Sequence, residues 1–115
     1  MKRGDVIRVR LPSRGGREQA GVRPAILMQS DEGPQRSPTL VVVPLTSQLA
    51  AARFAHSVQL EPGERSGLRV RSIAMVYQIT AIDRANVIEQ LGTLPDEDFA
   101  RIREAVLEMV TPTTP

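Results

Sequence analysis

The apolar stretch at residues 39–45 most constrains how this chain can fold. After Thr39 it places Leu, Val, Val, Val, Pro and Leu at consecutive positions, without the alternation of a half-exposed strand. Such a run is typical of a strand that is buried on both faces. Because Pro44 has no N–H to donate, we expect this strand to end, to bulge or to lie at an edge there.

Further short strands are predicted on either side of this stretch. Residues 5–11 alternate between apolar and charged side chains, the pattern of a half-buried strand. Residues 22–29, 57–60 and 72–79 are predicted as strands as well. Polar segments rich in Gly, Pro and Ser separate them and are typical of loops.

The last third of the chain indicates helices. Asp83 is a suitable N-cap for a short helix through Leu91 that Gly92 would end. A final helix is predicted from about Asp96 to Val110, with acidic residues in its first turn. Its apolar stripe has helical spacing and consists of Phe99, Ile102, Val106 and Met109 or Val110. Strands followed by helices predict a mainly β fold with a C-terminal helix, as a partly open antiparallel barrel or curled sheet.

The composition is that of one globular domain. The chain has 115 residues, 41% of them hydrophobic, with no cysteine and one histidine, His56. We therefore expect neither disulfides nor a typical zinc site, and no metal or cofactor. No segment approaches the ~20 apolar residues of a membrane span, and residues 1–5 do not open a signal peptide. These features predict a cytoplasmic protein without a membrane partner.

The charge distribution points to an anionic partner. Residues 1–36 hold eight basic and four acidic side chains, whereas residues 76–115 hold three and seven. Every basic residue except Lys2 is an arginine. A GC-rich genome is the plain explanation for that bias, but the planar guanidinium also suits phosphates and bases.

Two places carry side chains suited to chemistry on a phosphate. Arg23 precedes Pro24, which restricts its backbone to an extended conformation at the start of a strand. Thr46, Ser47 and Gln48 end the apolar strand, where hydroxyls and free N–H groups can hold phosphate oxygens. A solvated strand-end arginine and an ordinary polar turn are the alternatives. His56 has no partner at a suggestive spacing, which favours a surface or structural role.

At these same residues the sequence resembles the MazF/PemK family of toxin endoribonucleases. Four blocks in the same order carry the resemblance, and together with the final helix they span nearly the whole chain. The blocks are residues 3–6, 16–31, 43–48 and 78–83. The resemblance implies a single toxin domain over residues 1–110, and we expect residues 111–115 to form a frayed tail.

The family resemblance implies a fold, a reaction and partners. The fold is an SH3-like, partly open antiparallel barrel of the CcdB/Kid toxin type, acting as a homodimer. The reaction is metal-independent cleavage of single-stranded RNA, in which the ribose 2′-hydroxyl attacks phosphorus and leaves 2′,3′-cyclic phosphate and 5′-hydroxyl ends. A cognate antitoxin neutralises the toxin.

The resemblance assigns roles to individual residues. Arg23 matches the family's catalytic arginine, and Thr46 matches its catalytic threonine. Because arginine is a poor base at neutral pH, Glu18 is the alternative general base. We expect RNA contacts from a further set: Arg14, Arg17, Gln19, Ser47, Gln48 and Gln78. Of the few aromatic residues, Phe54 or Tyr77 could stack on bases, whereas Phe99 is expected in the core.

Three positions depart from the family pattern. Tyr77 stands where many relatives have an acidic residue, and Thr80 where many have an arginine. Arg17 stands where some have a histidine, so mechanisms that use a histidine or an Asp–Arg pair are disfavoured. These departures leave room for a degenerate member that only binds an antitoxin. A gyrase-binding module on the same barrel is the other alternative, because fold does not determine function.

Overall fold

The computed structural model describes residues 1–12, 21–30 and 36–113. Within these residues seven strands form one sheet, three short 3-10 turns connect some of them, and one α-helix follows. The strands are β1 (Asp5–Leu11), β2 (Gly21–Leu27), β3 (Thr39–Thr46), β4 (Ser57–Leu60), β5 (Ser72–Met75), β6 (Thr80–Asp83) and β7 (Val87–Thr93). The 3-10 turns are Leu49–Arg53, Val76–Gln78 and Arg84–Asn86, and the helix α1 is Asp96–Val110. The predicted class, mainly β with a C-terminal helix, is confirmed.

All strand pairs in the sheet are antiparallel. The order is β4-β5-β3-β2-β1-β7, and β6 pairs with β3 beside this path. The central strand β3 therefore touches three others. On one side it pairs with β2, and on the other it pairs first with β6 and then with β5.

Pro44 lies at the point where β3 changes partner. The pairs with β6 end at Val42, and those with β5 begin at Leu45. The N–H of Met28 donates to the carbonyl of Val41, so the odd positions of β3 direct their backbone groups to β2. Because successive residues direct their backbone groups to opposite sides of the strand, the nitrogen of Pro44 faces the gap between β6 and β5. No described strand pairs with β3 there, so the missing N–H costs no hydrogen bond. The strand neither ends nor bulges at the proline, but its second ladder is interrupted there.

Two apolar clusters cover the two faces of the central strands. Val6, Ile26, Val43 and Leu45 belong to the first cluster, against which α1 packs. The alternate positions belong to the second cluster, which contains Ile7, Val9, Leu11, Ala25, Leu27, Leu40, Val42 and Ile82. The expectation that β3 is buried on both faces is confirmed.

The helix α1 covers the first cluster. Ile102 and Ala105 are buried, and Phe99, Val106 and Met109 pack against the cluster. Val110 is 65% exposed, so the predicted stripe ends on Met109. The side chain of Arg101 donates to the carbonyl of Gln59 at 3.0 Å, which joins the helix to β4.

The short helix predicted from Asp83 through Leu91 is wrong. Asp83 does act as a cap, accepting from the N–H of Ala85 at 2.8 Å, but only of the 3-10 turn Arg84–Asn86. The next residues form β7, which pairs with β1 on the side opposite to β2. Non-local pairing outweighs the local helix signal here. The strand predicted at 72–79 is also shorter, because the turn Val76–Gln78 interrupts it.

Candidate active site

Arg23 lies at the beginning of β2. It is half-buried and pairs with Val9 of β1, so its backbone is part of the β1–β2 ladder. Gly21 opens the strand with a φ of 88°, a conformation that glycine adopts without strain. Pro24 follows and restricts the backbone of Arg23 further. The guanidinium therefore extends from a rigid backbone.

Thr46 is the last residue of β3. It is only 6% exposed, and its Oγ1 accepts a hydrogen bond from the N–H of Gln48 at 3.2 Å. A hydroxyl also has one proton to donate, and with the oxygen already accepting, that proton is directed to another group. The turn thus fixes the position of the hydroxyl oxygen and leaves its proton available for donation.

The register of β2 and β3 relates Arg23 to Thr46. The last pair along this ladder is Ala25 with Pro44, so Arg23 and Thr46 each lie two residues beyond its end, at the same end of the two antiparallel strands. Arg23 is two positions from Ala25, and Thr46 is four positions from Val42, and both of those residues belong to the second cluster. They therefore lie on the same face of the sheet, at the ends of neighbouring strands.

The other predicted contacts divide into two groups. Ser47 and Gln48 are exposed directly beyond Thr46. Gln78 is half-buried and ends the 3-10 turn Val76–Gln78, which lies between the β5 and β6 partners of β3. Arg14, Arg17, Glu18 and Gln19 lie outside the described residues, so their roles stay predictions.

Two aromatic rings and an arginine form a cluster near Gln48 and Gln78 in the sequence. The ring centroids of Phe54 and Tyr77 are 5.2 Å apart, and the guanidinium carbon of Arg53 is 4.6 Å from the centroid of Phe54. Sequence reasoning named both rings separately but missed Arg53. Its position directly before Phe54 was the available signal.

Tyr77 has a perturbed hydroxyl. Burial raises the pKa of Tyr77 above its ordinary value of 10.0, and the positive charge of Arg53 opposes that shift. The phenol is therefore neutral at physiological pH. It can donate a hydrogen bond, unlike the carboxylate that the family resemblance places here.

A separate groove of about 810 Å³ contains none of the described predicted site residues. Pro24, Leu68 and Leu91 line it together with Arg8 and Glu89, which form an exposed ion pair at 2.9 Å. Successive side chains of a strand point to opposite faces, so Pro24 and the groove are on the other face of β2 from Arg23.

Neither a metal cluster nor a spanning helix occurs among residues 1–12, 21–30 and 36–113. No group of three or more His, Cys, Asp or Glu side chains is placed to hold a metal ion there. No helix in these ranges is both long and apolar enough to cross a membrane.

Comparison with known proteins identifies the family. The family described as PemK-like, MazF-like toxin of type II toxin-antitoxin system matches residues 2–110. The Endoribonuclease EndoA of Bacillus subtilis (strain 168) is 34% identical over 106 residues, which cover 92% of this chain and 90% of that protein.

Solved structures show the same fold. The crystal structure of MazF (Form-I) from Deinococcus radiodurans has a TM-score of 0.80 at 21% identity, with 97% of each chain covered. A MazE-MazF crystal structure (Form-II) from Deinococcus radiodurans matches with a TM-score of 0.74 at 20% identity, covering 98% of this chain and 97% of that one. The expected MazF-like fold is thereby confirmed. With the family match over nearly its full length, this chain belongs to the PemK-like, MazF-like toxins of type II toxin-antitoxin systems.

Proposed function

We propose that this toxin is an endoribonuclease that cleaves single-stranded RNA at specific sequences, without a metal ion. The observation that carries the proposal is the shared face of Arg23 and Thr46 at the ends of adjacent strands. The relative at 34% identity bears the name of an endoribonuclease, which supports the same activity here.

In the proposed reaction, RNA supplies its own nucleophile. The 2′-hydroxyl attacks the adjacent phosphorus and gives its proton to the general base, while the bond from phosphorus to the 5′-oxygen breaks and that oxygen takes a proton from water. The products are a 2′,3′-cyclic phosphate and a 5′-hydroxyl. The protein's task is to align the groups and to stabilise the additional negative charge on the phosphorane.

Arg23 and Thr46 have complementary roles in this step. The guanidinium of Arg23 forms charge-assisted hydrogen bonds with phosphate oxygens. The hydroxyl of Thr46, whose oxygen already accepts from Gln48, donates a hydrogen bond to the scissile phosphate. We assign general-base catalysis to Glu18, because arginine holds its proton at neutral pH.

The proposed assembly is a cytoplasmic homodimer, one toxin domain (residues 1–110) per chain, inhibited by a cognate antitoxin. The match to a MazE-MazF complex supports the antitoxin partner. RNA contacts from Arg14, Arg17, Gln19, Ser47, Gln48 and Gln78 complete the proposed interface.

A cleavage assay with end-group analysis tests the proposal. Purified protein is incubated with a mixed-sequence RNA in excess EDTA, and the product ends are identified by mass spectrometry. We expect cyclic phosphate and 5′-hydroxyl ends, and no cleavage of an RNA whose ribose carries 2′-deoxy at the cut site. Intact RNA together with inhibition of DNA gyrase would replace this proposal with the gyrase-binding alternative.

A further inference from the structure

The segment 53–57 holds an aromatic ring at the surface in a defined position. Phe54 is 45% exposed although its ring contacts both Arg53 and Tyr77. Exposed aromatic rings that pack with an arginine are typical of surfaces that bind flat, electron-rich partners.

Backbone hydrogen bonds hold this segment rigid. The N–H of Phe54 donates to Ala51 at 3.2 Å, and its carbonyl accepts from the hydroxyl of Ser57 at 2.8 Å. The same hydroxyl also reaches the carbonyl of Ala52 at 3.2 Å. A side chain presented by so well-bonded a backbone loses little conformational freedom when it binds a partner.

His56, which lies between Phe54 and β4, has a strained backbone conformation and a hydrogen bond to Tyr77. Its φ of 59° is in the left-handed region, and no other non-glycine residue among those described adopts a positive φ. Its carbonyl accepts from the N–H of Tyr77 at 3.3 Å, which ties the segment to the end of β5. Strained backbone of this kind persists where the surrounding structure requires a particular side-chain placement.

The cluster is close in sequence to two predicted elements of the candidate active site. The turn Leu49–Arg53 begins three residues after Thr46 and ends at Arg53, and Tyr77 is next to Gln78. The short 3-10 turns after β3 and after β5 thus connect the cluster to both Thr46 and Gln78 along the chain.

We propose that Arg53, Phe54 and Tyr77 form a stacking subsite for one nucleobase of single-stranded RNA. A base stacks on the exposed ring of Phe54 or on the guanidinium plane of Arg53, and the neutral hydroxyl of Tyr77 donates to a base acceptor. This inference rests on the proposed function, since it names where the RNA substrate is held. Stacking makes this position tolerant of base identity, because every base has a π-face and an edge acceptor for the tyrosine donor.

Ring resonances in NMR spectra test the subsite directly. The chain has one tyrosine and two phenylalanines, and the second phenylalanine, Phe99, packs against the first apolar cluster. The probes are 2′-O-methyl hexanucleotides of each base, which lack the nucleophile and stay intact whether or not the protein cleaves RNA. We expect upfield shifts of the Phe54 and Tyr77 ring protons on titration, with Phe99 unchanged as the internal control.

Affinity measurements with matched variants complete the test. Phe54→Leu keeps an apolar side chain but removes the ring, and we expect it to bind the same probes about tenfold more weakly. Phe54→Trp keeps an aromatic ring and should bind them as the wild type does. Leu107→Ala is the control, because Leu107 is 49% exposed and lies on α1. A probe lacking one base at the stacked position should abolish the difference between wild type and Phe54→Leu.

The outcomes separate this inference from the proposed function. Ring shifts in a protein that cuts no RNA would support the subsite and contradict the nuclease. Cleavage by the wild type with unmoved Phe54 and Tyr77 resonances, or equal binding by Phe54→Leu, would overturn the subsite alone.

Discussion

Arg23 and Thr46 lie on one face of the sheet, two residues beyond the last pair of the β2–β3 ladder. Both residues therefore lie at the same end of two neighbouring antiparallel strands. The hydrogen bond from the N–H of Gln48 fixes the hydroxyl on one side. The ladder with Val9 fixes the backbone of the arginine on the other.

Replacing Arg23 tests the charge-stabilising role. We expect Arg23→Ala to lower the cleavage rate at least ~10²-fold, because a donor to the developing phosphorane charge is lost. The measurement is the single-turnover rate on a fluorescent RNA. Arg103→Ala, an exposed arginine on α1, is the control and should cut at the wild-type rate. Normal cutting by a folded Arg23→Ala protein would remove this residue from the mechanism.

Thr46 allows a test that keeps the size of the side chain. Thr46→Val removes the hydroxyl from a buried site with little change in volume, and we expect a ~10²-fold loss of cleavage. Thr46→Ser keeps the hydroxyl and should retain most of the activity. The free energy of unfolding, measured in urea, separates catalysis from stability, since Val also leaves the N–H of Gln48 without its acceptor. Equal rates for the Val and Ser variants would show that the hydroxyl does not act on the phosphate.

The titration of Tyr77 has a predicted direction. Burial raises its pKa above 10.0, and the folded protein therefore holds the phenolic proton more tightly than the unfolded chain. The associated stabilisation is present below pH 10.0 and is lost as pH rises through the folded pKa. Because the chain has one tyrosine, the ultraviolet absorbance of tyrosinate reports this group alone.

Arg53 should shift that titration. Its positive charge lowers the pKa of Tyr77, so Arg53→Ala is expected to raise the midpoint further. Arg71→Ala, which breaks an ion pair with Glu61 elsewhere, should leave the midpoint in place. If Tyr77 titrated at its ordinary pKa in both the wild type and Arg53→Ala, the packing of Tyr77 against Phe54 would be contradicted.

Two glycines with the same backbone conformation should respond differently to alanine. Gly21 and Gly67 have φ values of 88° and 75°, but among the described residues only a Cβ at Gly67 would meet another atom, the carbonyl oxygen of Leu91 at 2.3 Å. We expect Gly21→Ala to cost about 1 kcal/mol of unfolding free energy and Gly67→Ala about 3 kcal/mol or more. Urea denaturation measures both, and equal losses would argue against the close approach of this turn to β7.

Local patterns were sufficient to predict most of the strands and α1. The alternation of apolar residues in β1 and the apolar stripe of α1 that ends at Met109 both follow the buried face of the element, and residues close in sequence are enough to reveal that face. β7 escaped the same reasoning because its stability comes from β1, some eighty residues earlier, and its own residues resemble a capped helix.

The candidate site was only partly accessible to sequence reasoning. Arg23 and Thr46 could be selected individually, since proline and a strand end each restrict a backbone. Their common face follows from the β2–β3 register, which no local pattern specifies. The contact of Arg53 with Phe54 depends on the turn before β4, where Ser57 and His56 shape the chain.

The position of Pro44 also excludes a competing alignment of the sheet. If β3 slid by one residue against β2, the two sets of apolar side chains would exchange faces. The proline nitrogen would then be directed at β2, where a donor is required, instead of into the gap between β6 and β5. One residue without an N–H thus penalises the misaligned sheet and leaves the native one unaffected, so the register that sets Arg23 and Thr46 on one face has no equally stable competitor one residue away.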